Sequence, residues 1–167
     1  ARSFARTVSS YDSMHRLTGT ESYHGDTAAL VNSYTYNAYD KVLTMTSGGA
    51  VTTNTYNLRG ELVGVTDALG NEESYTYDAN GYLLTKTDRN GTVFTYVYDG
   101  LGRILSETAS KNGNTEQNTY EYSLTGALIS ETNGTVSVSR SYDTLGRMIT
   151  ETETAGNISS AATYTYT

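Results

Sequence analysis

The sequence lacks cysteine, proline and tryptophan altogether and has two histidines. Without cysteine there is no disulfide framework, no thiolate zinc site and no cysteine nucleophile. No apolar run comes near the roughly 20 residues that are needed to span a bilayer. The net charge of −7, from 11 basic and 18 acidic residues, offers no basic surface to a phosphate backbone. We therefore expect neither a nucleic-acid partner nor membrane insertion.

Large apolar side chains are also few, because Leu, Ile, Val and Phe together make up 29 of the 167 residues. This lies below the fraction of about one fifth at which disorder becomes a serious alternative. The chain nevertheless contains 16 tyrosines and 29 threonines. Both residue types favour strands and are not enriched in disordered chains. The composition predicts an all-β protein whose core is largely tyrosine.

A tyrosine recurs about every 21 residues along the whole chain. We call these the key tyrosines; they are Tyr11, Tyr36, Tyr56, Tyr77, Tyr98, Tyr122 and Tyr142, with an eighth copy starting at Tyr166. Glycine stands four residues past most of them, an apolar pair six and seven past, and threonine ten past. In the first two copies His15 and Asp40 take the place of the glycine.

The repeats predict a single array over residues 1–167, with about seven copies and no second domain. Irregular spacers interrupt it at 21–33, 109–118 and 153–163. The chain starts at Ala1 without an initiator methionine and stops at Thr167 within a repeat. We therefore expect a fragment of a longer chain.

Each repeat has the turn chemistry of a hairpin. Asp-x-x-Gly after the key tyrosine predicts a type I turn closed by a glycine bulge. A second turn, Asp67–Gly70 or Asp88–Gly91, leads back to the next key tyrosine. Such a hairpin places Tyr77 opposite Leu83, and Tyr98 opposite Ile104. Tyrosines two residues before the key tyrosine share its face, whereas the apolar residue seven past it points to the opposite face.

One repeat cannot fold alone. Ordering about 21 residues costs roughly 20 to 40 kcal/mol of backbone entropy, whereas each of its few large apolar side chains returns about 1.5 to 3 kcal/mol. Neighbouring repeats must therefore pair. The predicted fold is all-β, with tandem antiparallel β-hairpin repeats of about 21 residues forming one continuous, twisted or spiralling sheet.

The motif Tyr-Asp-x-x-Gly-Arg, in Tyr98–Arg103 and Tyr142–Arg147, resembles the YD repeat of the Rhs family. That family includes bacterial polymorphic toxins, components of insecticidal toxin complexes, a bacterial wall-associated protein and the animal teneurins. The resemblance implies a β-sheet wound into a hollow shell, which encloses a cytotoxic segment in the toxins and belongs to an adhesion ectodomain in the teneurins. The self-cleaving, proline-rich core segment of the toxins has no counterpart here, because the chain has no proline.

From this resemblance we expect a non-catalytic structural segment of a secreted or cell-surface protein. Its partners would be the remainder of the parent chain and an encapsulated toxin domain. The alternative is a carbohydrate-binding or cell-adhesion module that uses the rows of tyrosines, as exposed aromatic rings can stack on sugars.

We expect no catalytic, cofactor or metal site. His15 and His24 stand near no recognisable nucleophile motif and are interpreted as turn or surface residues. The repeated acids Asp12, Asp78, Asp99 and Asp143 are replaced by Asn37, Asn57 and Ser123 in other copies, which favours turn capping over calcium binding. Arg103 and Arg147 are expected to lie along the strands beside their acidic neighbours.

Overall fold

A computed structural model describes residues 5–167, which form fifteen β-strands. The chain divides into two compact units, residues 1–76 and 77–167. In the first unit the strands lie in chain order, each antiparallel to the next. They are β1 (Ala5–Tyr11), β2 (Leu17–His24), β3 (Thr27–Tyr36), β4 (Val42–Ser47), β5 (Ala50–Tyr56), β6 (Leu62–Thr66) and β7 (Glu72–Tyr77), whose last residue opens the second unit.

The second unit repeats this arrangement, with antiparallel neighbours in chain order. Its strands are β8 (Leu83–Thr87), β9 (Val93–Tyr98), β10 (Ile104–Lys111), β11 (Asn114–Tyr122), β12 (Leu128–Thr132), β13 (Val136–Tyr142), β14 (Met148–Ala155) and β15 (Ile158–Thr163). The predicted fold class, all-β with tandem antiparallel hairpins, is confirmed.

The turn after each key tyrosine has the predicted geometry. The Gly102 N–H donates to the Asp99 carbonyl at 3.1 Å, and the Asp99 N–H donates to the Arg103 carbonyl at 2.9 Å. Gly102 has a φ of 80°, the left-handed conformation that closes a type I turn with a bulge. Tyr98 pairs with Ile104 across this hairpin, as predicted. The matching pair of Tyr77 and Leu83 stays a prediction.

The face predicted for the residue seven past the key tyrosine stays a prediction. In the hairpin of β9 and β10, Tyr98 pairs with Ile104 and Val97 with Ser106, so Leu105 is the extra residue of a β-bulge. Simple alternation along a strand is interrupted at a bulge. The period-2 rule therefore does not place this residue on the opposite face.

The second turns also form as predicted, with the Gly70 N–H donating to the Asp67 carbonyl and the Gly91 N–H to the Asp88 carbonyl, each at 3.0 Å. The segments interpreted as irregular spacers are regular strand instead. They lengthen the hairpins of β2 with β3, β10 with β11, and β14 with β15. Asn112 and Gly113, with φ of 51° and 82°, form the two-residue loop of one such hairpin.

The expected tyrosine core is wrong, because no residue whose burial the structure describes is buried. Within each unit the strands pair with their chain neighbours, as in a single layer. Such a layer buries its side chains only when a second layer packs on it. The key tyrosines Tyr56, Tyr98 and Tyr142 are half-buried, and so are the residues two positions before them, Asn54, Tyr96 and Arg140. The threonines between, such as Thr55 and Thr95, are exposed. The sheet thus has a half-buried tyrosine face and an exposed threonine face.

Candidate functional site

The turn that follows each key tyrosine is capped by its first side chain. Asp99 Oδ1 accepts the N–H groups of Leu101 at 2.9 Å and Arg103 at 3.0 Å. Asp12, Asp78, Asp143, Asn37 and Asn57 make the same pair of bonds. The Ser123 hydroxyl accepts the Ala127 N–H at 3.1 Å and bonds the Thr125 hydroxyl at 2.8 Å. These bonds give the turn acids the capping role that the mixture of Asp, Asn and Ser predicts.

Three of these aspartates also bind the arginine five residues past the key tyrosine. Arg103 Nε lies 2.6 Å from Asp99 Oδ2. In the same way, Arg16 Nε lies 2.7 Å from Asp12 Oδ2, and Arg147 Nε lies 2.7 Å from Asp143 Oδ2. The backbone N–H of the arginine, followed by its side chain, holds the pKa of each of these carboxyl groups below the ordinary value. Arg103 and Arg147 thus lie beside their acidic neighbours, as predicted.

The same arginines lie over the key tyrosine of the next repeat, which the sequence did not predict. The Arg103 guanidinium carbon is 4.5 Å from the centroid of the Tyr122 ring. The corresponding distances are 4.8 Å from Arg16 to Tyr36 and 4.5 Å from Arg147 to Tyr166. A guanidinium at this distance from a ring face is attracted by the ring quadrupole. We call the side chain at this position the ring cover.

Other residue types also serve as ring cover. Tyr82 stands five past Tyr77 and stacks on Tyr98, with centroids 5.1 Å apart and ring planes at 24°. The cover also passes beside the next turn glycine, because a Cβ built on Gly102 would overlap the Tyr82 ring and hydroxyl. In the same way, a Cβ on Gly126 would lie 3.7 Å from Arg103 Nη1, and one on Gly60 would lie 3.9 Å from Lys41 Cε.

A second contact between repeats comes from the key tyrosine itself. The Tyr142 hydroxyl donates to the Leu128 carbonyl, six residues past the preceding key tyrosine, at 2.8 Å. The same bond runs from Tyr36 to Leu17, Tyr56 to Val42, Tyr98 to Leu83, Tyr122 to Ile104 and Tyr166 to Met148, at 2.7 to 3.0 Å. Ring cover and hydroxyl bond together form the junction between successive repeats. The regular spacing of tyrosine was its sequence signal, but nothing in the spacing identified the acceptor.

One junction in the second unit is incomplete. Ala127 occupies the cover position before Tyr142, and nothing lies within 4 Å of a Cβ built on Gly146. An open cleft of about 670 Å³ lies here, lined by Ala127, Arg140, Tyr142 and Asp143 among others. The cleft lies at the position that the longer ring-cover side chains, such as Arg103 and Tyr82, occupy at the other junctions.

On the tyrosine face of β13, an arginine replaces the tyrosine two residues before the key one. Arg140 Nη2 lies 2.7 Å from Glu131 on β12, and Arg140 Nε lies 2.8 Å from Glu151 on β14. Its Nη1 is shielded from solvent and has no hydrogen-bond partner among the described residues. Burial, with the charge of Glu107, raises the pKa of Tyr96 on the same face. Charged groups on this face are thus tied across neighbouring strands.

Both histidines lie in the first unit. His15 takes the turn-glycine position, with a φ of 62° and its N–H donating to the Asp12 carbonyl at 3.0 Å. His24 is exposed at the end of β2. Across residues 5–167 no three His, Cys, Asp or Glu side chains are grouped to hold a metal ion. The described part of the chain also has no helix that is long and apolar enough to cross a membrane.

Comparison with known proteins gives one family and a set of structural neighbours. Residues 2–162 match the family model "Teneurin YD-shell". No curated protein matches the sequence. Two solved structures match with a TM-score of 0.75 and 21% identity: the crystal structure of TcdB2-TccC3, over 86% of this chain, and a Photorhabdus luminescens Tc holotoxin pore with a TccC3 variant, over 90%. A TcdB2-TccC3-TEV crystal structure matches with a TM-score of 0.56 and 17% identity. The chain spans 9% of the length of each of the first two.

Proposed function

Because the chain belongs to the Teneurin YD-shell family, over residues 2–162, we propose that it is a structural segment of the wall of a β-shell. In the longer secreted or cell-surface parent, this wall encloses or displays another segment, such as a toxin domain. The neighbours in Tc toxin complexes cover most of this chain but are much longer than it. The proposed partners are therefore the rest of the parent chain and the enclosed segment.

The observation that carries this proposal is the junction between repeats. The Arg103 guanidinium and the Tyr122 hydroxyl each reach across to the neighbouring repeat, one forward and one backward along the chain. Every repeat joined in this way is held at both of its sides, and such contacts let a repeat array extend by nearest-neighbour interactions. A wall needs this continuity, whereas a catalytic site does not.

The proposal gives the chain no catalytic, cofactor or metal role. The carboxylates of Asp12, Asp99 and Asp143, which could serve as acids or ligands, accept two backbone N–H groups and an arginine each. A carboxylate used in this way has little capacity left for a substrate or an ion.

Protection of the enclosed segment in the full-length parent tests the proposal. Under limited proteolysis, we expect the segment to survive in the wild type, and electron microscopy should show a lumen that contains it. The double variant Arg103→Ala/Arg147→Ala should speed its digestion, whereas Arg59→Ala, at a pair within one turn, should not. Digestion at the rate of the denatured parent, or a solid particle without a lumen, would refute encapsulation.

Carbohydrate binding is the second candidate, and the cleft between Ala127 and Tyr142 is the feature that favours it. Arginines already cover the rings of Tyr36, Tyr122 and Tyr166, so a sugar would compete with them there. In the cleft, the Tyr142 ring is accompanied by Thr125 and Thr144, whose hydroxyl groups can bond sugar hydroxyls. A glycan array with wild type and Ala127→Arg, which should fill the cleft, tests this candidate; silence from the wild type removes it.

A further inference from the structure

The border of the sheet formed by the turns after the key tyrosines carries a regular row of exposed apolar side chains. We call it the key-turn border and the opposite one the far border. In the second unit the row consists of Leu101, Leu124 and Leu145, and in the first unit of Met14, Tyr39 and Leu58. Their exposed fractions run from 60% to 108%, so no residue that the structure describes covers them.

The row has a fixed pitch in each unit, because one tip occurs for every two strands. With strands about 4.8 Å apart, successive tips are about 9.6 Å apart. Single exposed apolar residues are ordinary on a protein surface, but an ordered series of them marks an interaction site. A partner that covers the whole row must present apolar groups at this same pitch.

The far border differs. In the second unit its turns carry polar residues, Asp88, Asn90, Asn112, Asn133 and Asn157 among them. Exposed large apolar residues at this border are Leu69 and Val51 in the first unit and Val93 and Ile158 in the second; Val51, Val93 and Ile158 lie at strand ends, and Leu69 lies at a turn tip. The apolar row is thus a property of one border only.

The charges of the key-turn border are also nearly balanced, although the chain carries −7 overall. The six acids of this border are Asp12, Asp40, Glu61, Asp78, Asp99 and Asp143, and its five bases are Arg16, Lys41, Arg59, Arg103 and Arg147. Asp99 pairs with Arg103, Asp143 with Arg147, and Arg16 with both Asp12 and Asp40. Two copies of this border can therefore approach each other without the repulsion that their net charge would cause elsewhere.

We propose that the key-turn border is an interface for a second copy of the same border, with the apolar tips of one row packed against those of the other. A second row of these hairpins has the required pitch, the apolar tips and the compensated charge. The two rows would be related by a twofold axis, the usual symmetry when one surface meets itself. This inference does not depend on what the sheet encloses.

Sedimentation velocity of the intact chain over a wide range of concentration tests the proposal. We expect a reversible dimer, which the triple variant Leu101→Ser/Leu124→Ser/Leu145→Ser weakens about tenfold or more for each tip, the factor expected for one buried leucine. The matched control is Leu69→Ser, which removes an 88% exposed leucine from the same kind of turn on the far border. A monomer at every concentration overturns the proposal, as does an equal effect of variant and control.

The absence of cysteine allows a second measurement. Leu124→Cys and Leu69→Cys each give a chain with one thiol, and both sites are exposed turn positions that serine or cysteine can occupy without a change of fold. Under mild oxidation we expect disulfide dimers of Leu124→Cys to form much faster than those of Leu69→Cys. Equal rates would show collision rather than a specific interface and would refute the proposal.

Discussion

The guanidinium of Arg103 covers the ring of Tyr122, which lies one repeat further along the chain, at 4.5 Å from the ring centroid. Asp99, in the turn of Arg103 itself, fixes the guanidinium in that position through an ion pair at 2.6 Å. The Tyr-Asp-x-x-Gly-Arg motif therefore acts on the repeat that follows it as well as on its own hairpin.

Completing the incomplete junction should stabilise the protein. Ala127→Arg places a guanidinium beside Tyr142, and we expect a gain of about 0.5 to 1 kcal/mol in the free energy of unfolding. Ser123→Asp supplies the missing carboxylate. The double variant should therefore gain more stability than the sum of the gains of the two single variants. Urea denaturation of the two single variants and of the double variant measures these free energies of unfolding. Strict additivity would show that the carboxylate does not position the arginine.

Removing one key-tyrosine hydroxyl should weaken one junction. Tyr142→Phe leaves the Leu128 carbonyl without its bond, at a cost of about 1 kcal/mol. Tyr39→Phe is the control, because Tyr39 is 78% exposed at a turn tip. Thermal and urea unfolding compare the two variants. Equal losses would mean that the bond to the carbonyl contributes nothing.

The turn glycines should differ in a way that depends on the ring cover. In Gly146→Ala the new Cβ contacts no neighbour, so the expected loss of stability is the cost of a positive φ in alanine, about 1 kcal/mol. Gly102→Ala meets Tyr82 as well and should cost about 1 to 3 kcal/mol more. In a Tyr82→Ala background, measured by the same denaturation, this excess should disappear; its persistence would place the clash elsewhere.

His15 and Asp40 occupy the left-handed position that glycine fills in the other key turns. Replacing them with glycine should remove the backbone strain of a positive φ. For His15→Gly, where φ is 62°, we expect a gain of about 0.5 to 1 kcal/mol. Asp40→Gly should gain less, because Asp40 also pairs with Arg16 at 2.8 Å. Differential scanning calorimetry measures both. A loss of stability in His15→Gly would show that its side chain contributes more than its backbone costs.

The turn aspartates predict a fall in stability in acid. The pKa values of Asp12, Asp99 and Asp143 are lowered in the folded chain. Their contribution is therefore complete above the unfolded pKa of about 4 and is lost as the pH falls through the lower folded values. The triple variant D12N/D99N/D143N should lose less stability between neutral pH and acid than the wild type, as urea titrations across that range would show. Parallel pH curves would contradict this.

The sequence predicted the hairpins because their determinants are local. The Asp99 side chain and the left-handed Gly102 act within five residues of chain, and the same chemistry recurs in each copy. The pairing of Tyr98 with Ile104 followed from the length of that turn. A bulge interrupts the strict alternation of faces, which is why the period-2 rule does not decide the face of Leu105.

The tyrosine core was wrong for a different reason. Sixteen tyrosines indicate strands, but their number does not reveal whether a second layer lies above the sheet. The ring cover was missed because it joins residues in different repeats, such as Arg103 and Tyr122, 19 positions apart in sequence. The pair of Arg103 with Asp99 could be predicted, because the two residues are four positions apart within one turn.

The forward reach of the ring cover has a consequence for how such an array can change in length. A copied unit that runs from one key tyrosine to the next brings its own arginine, whose target is whatever tyrosine comes after it. Tandem duplication or loss of whole units therefore creates no new kind of contact. The number of repeats can change without any change in the residues that form the junctions.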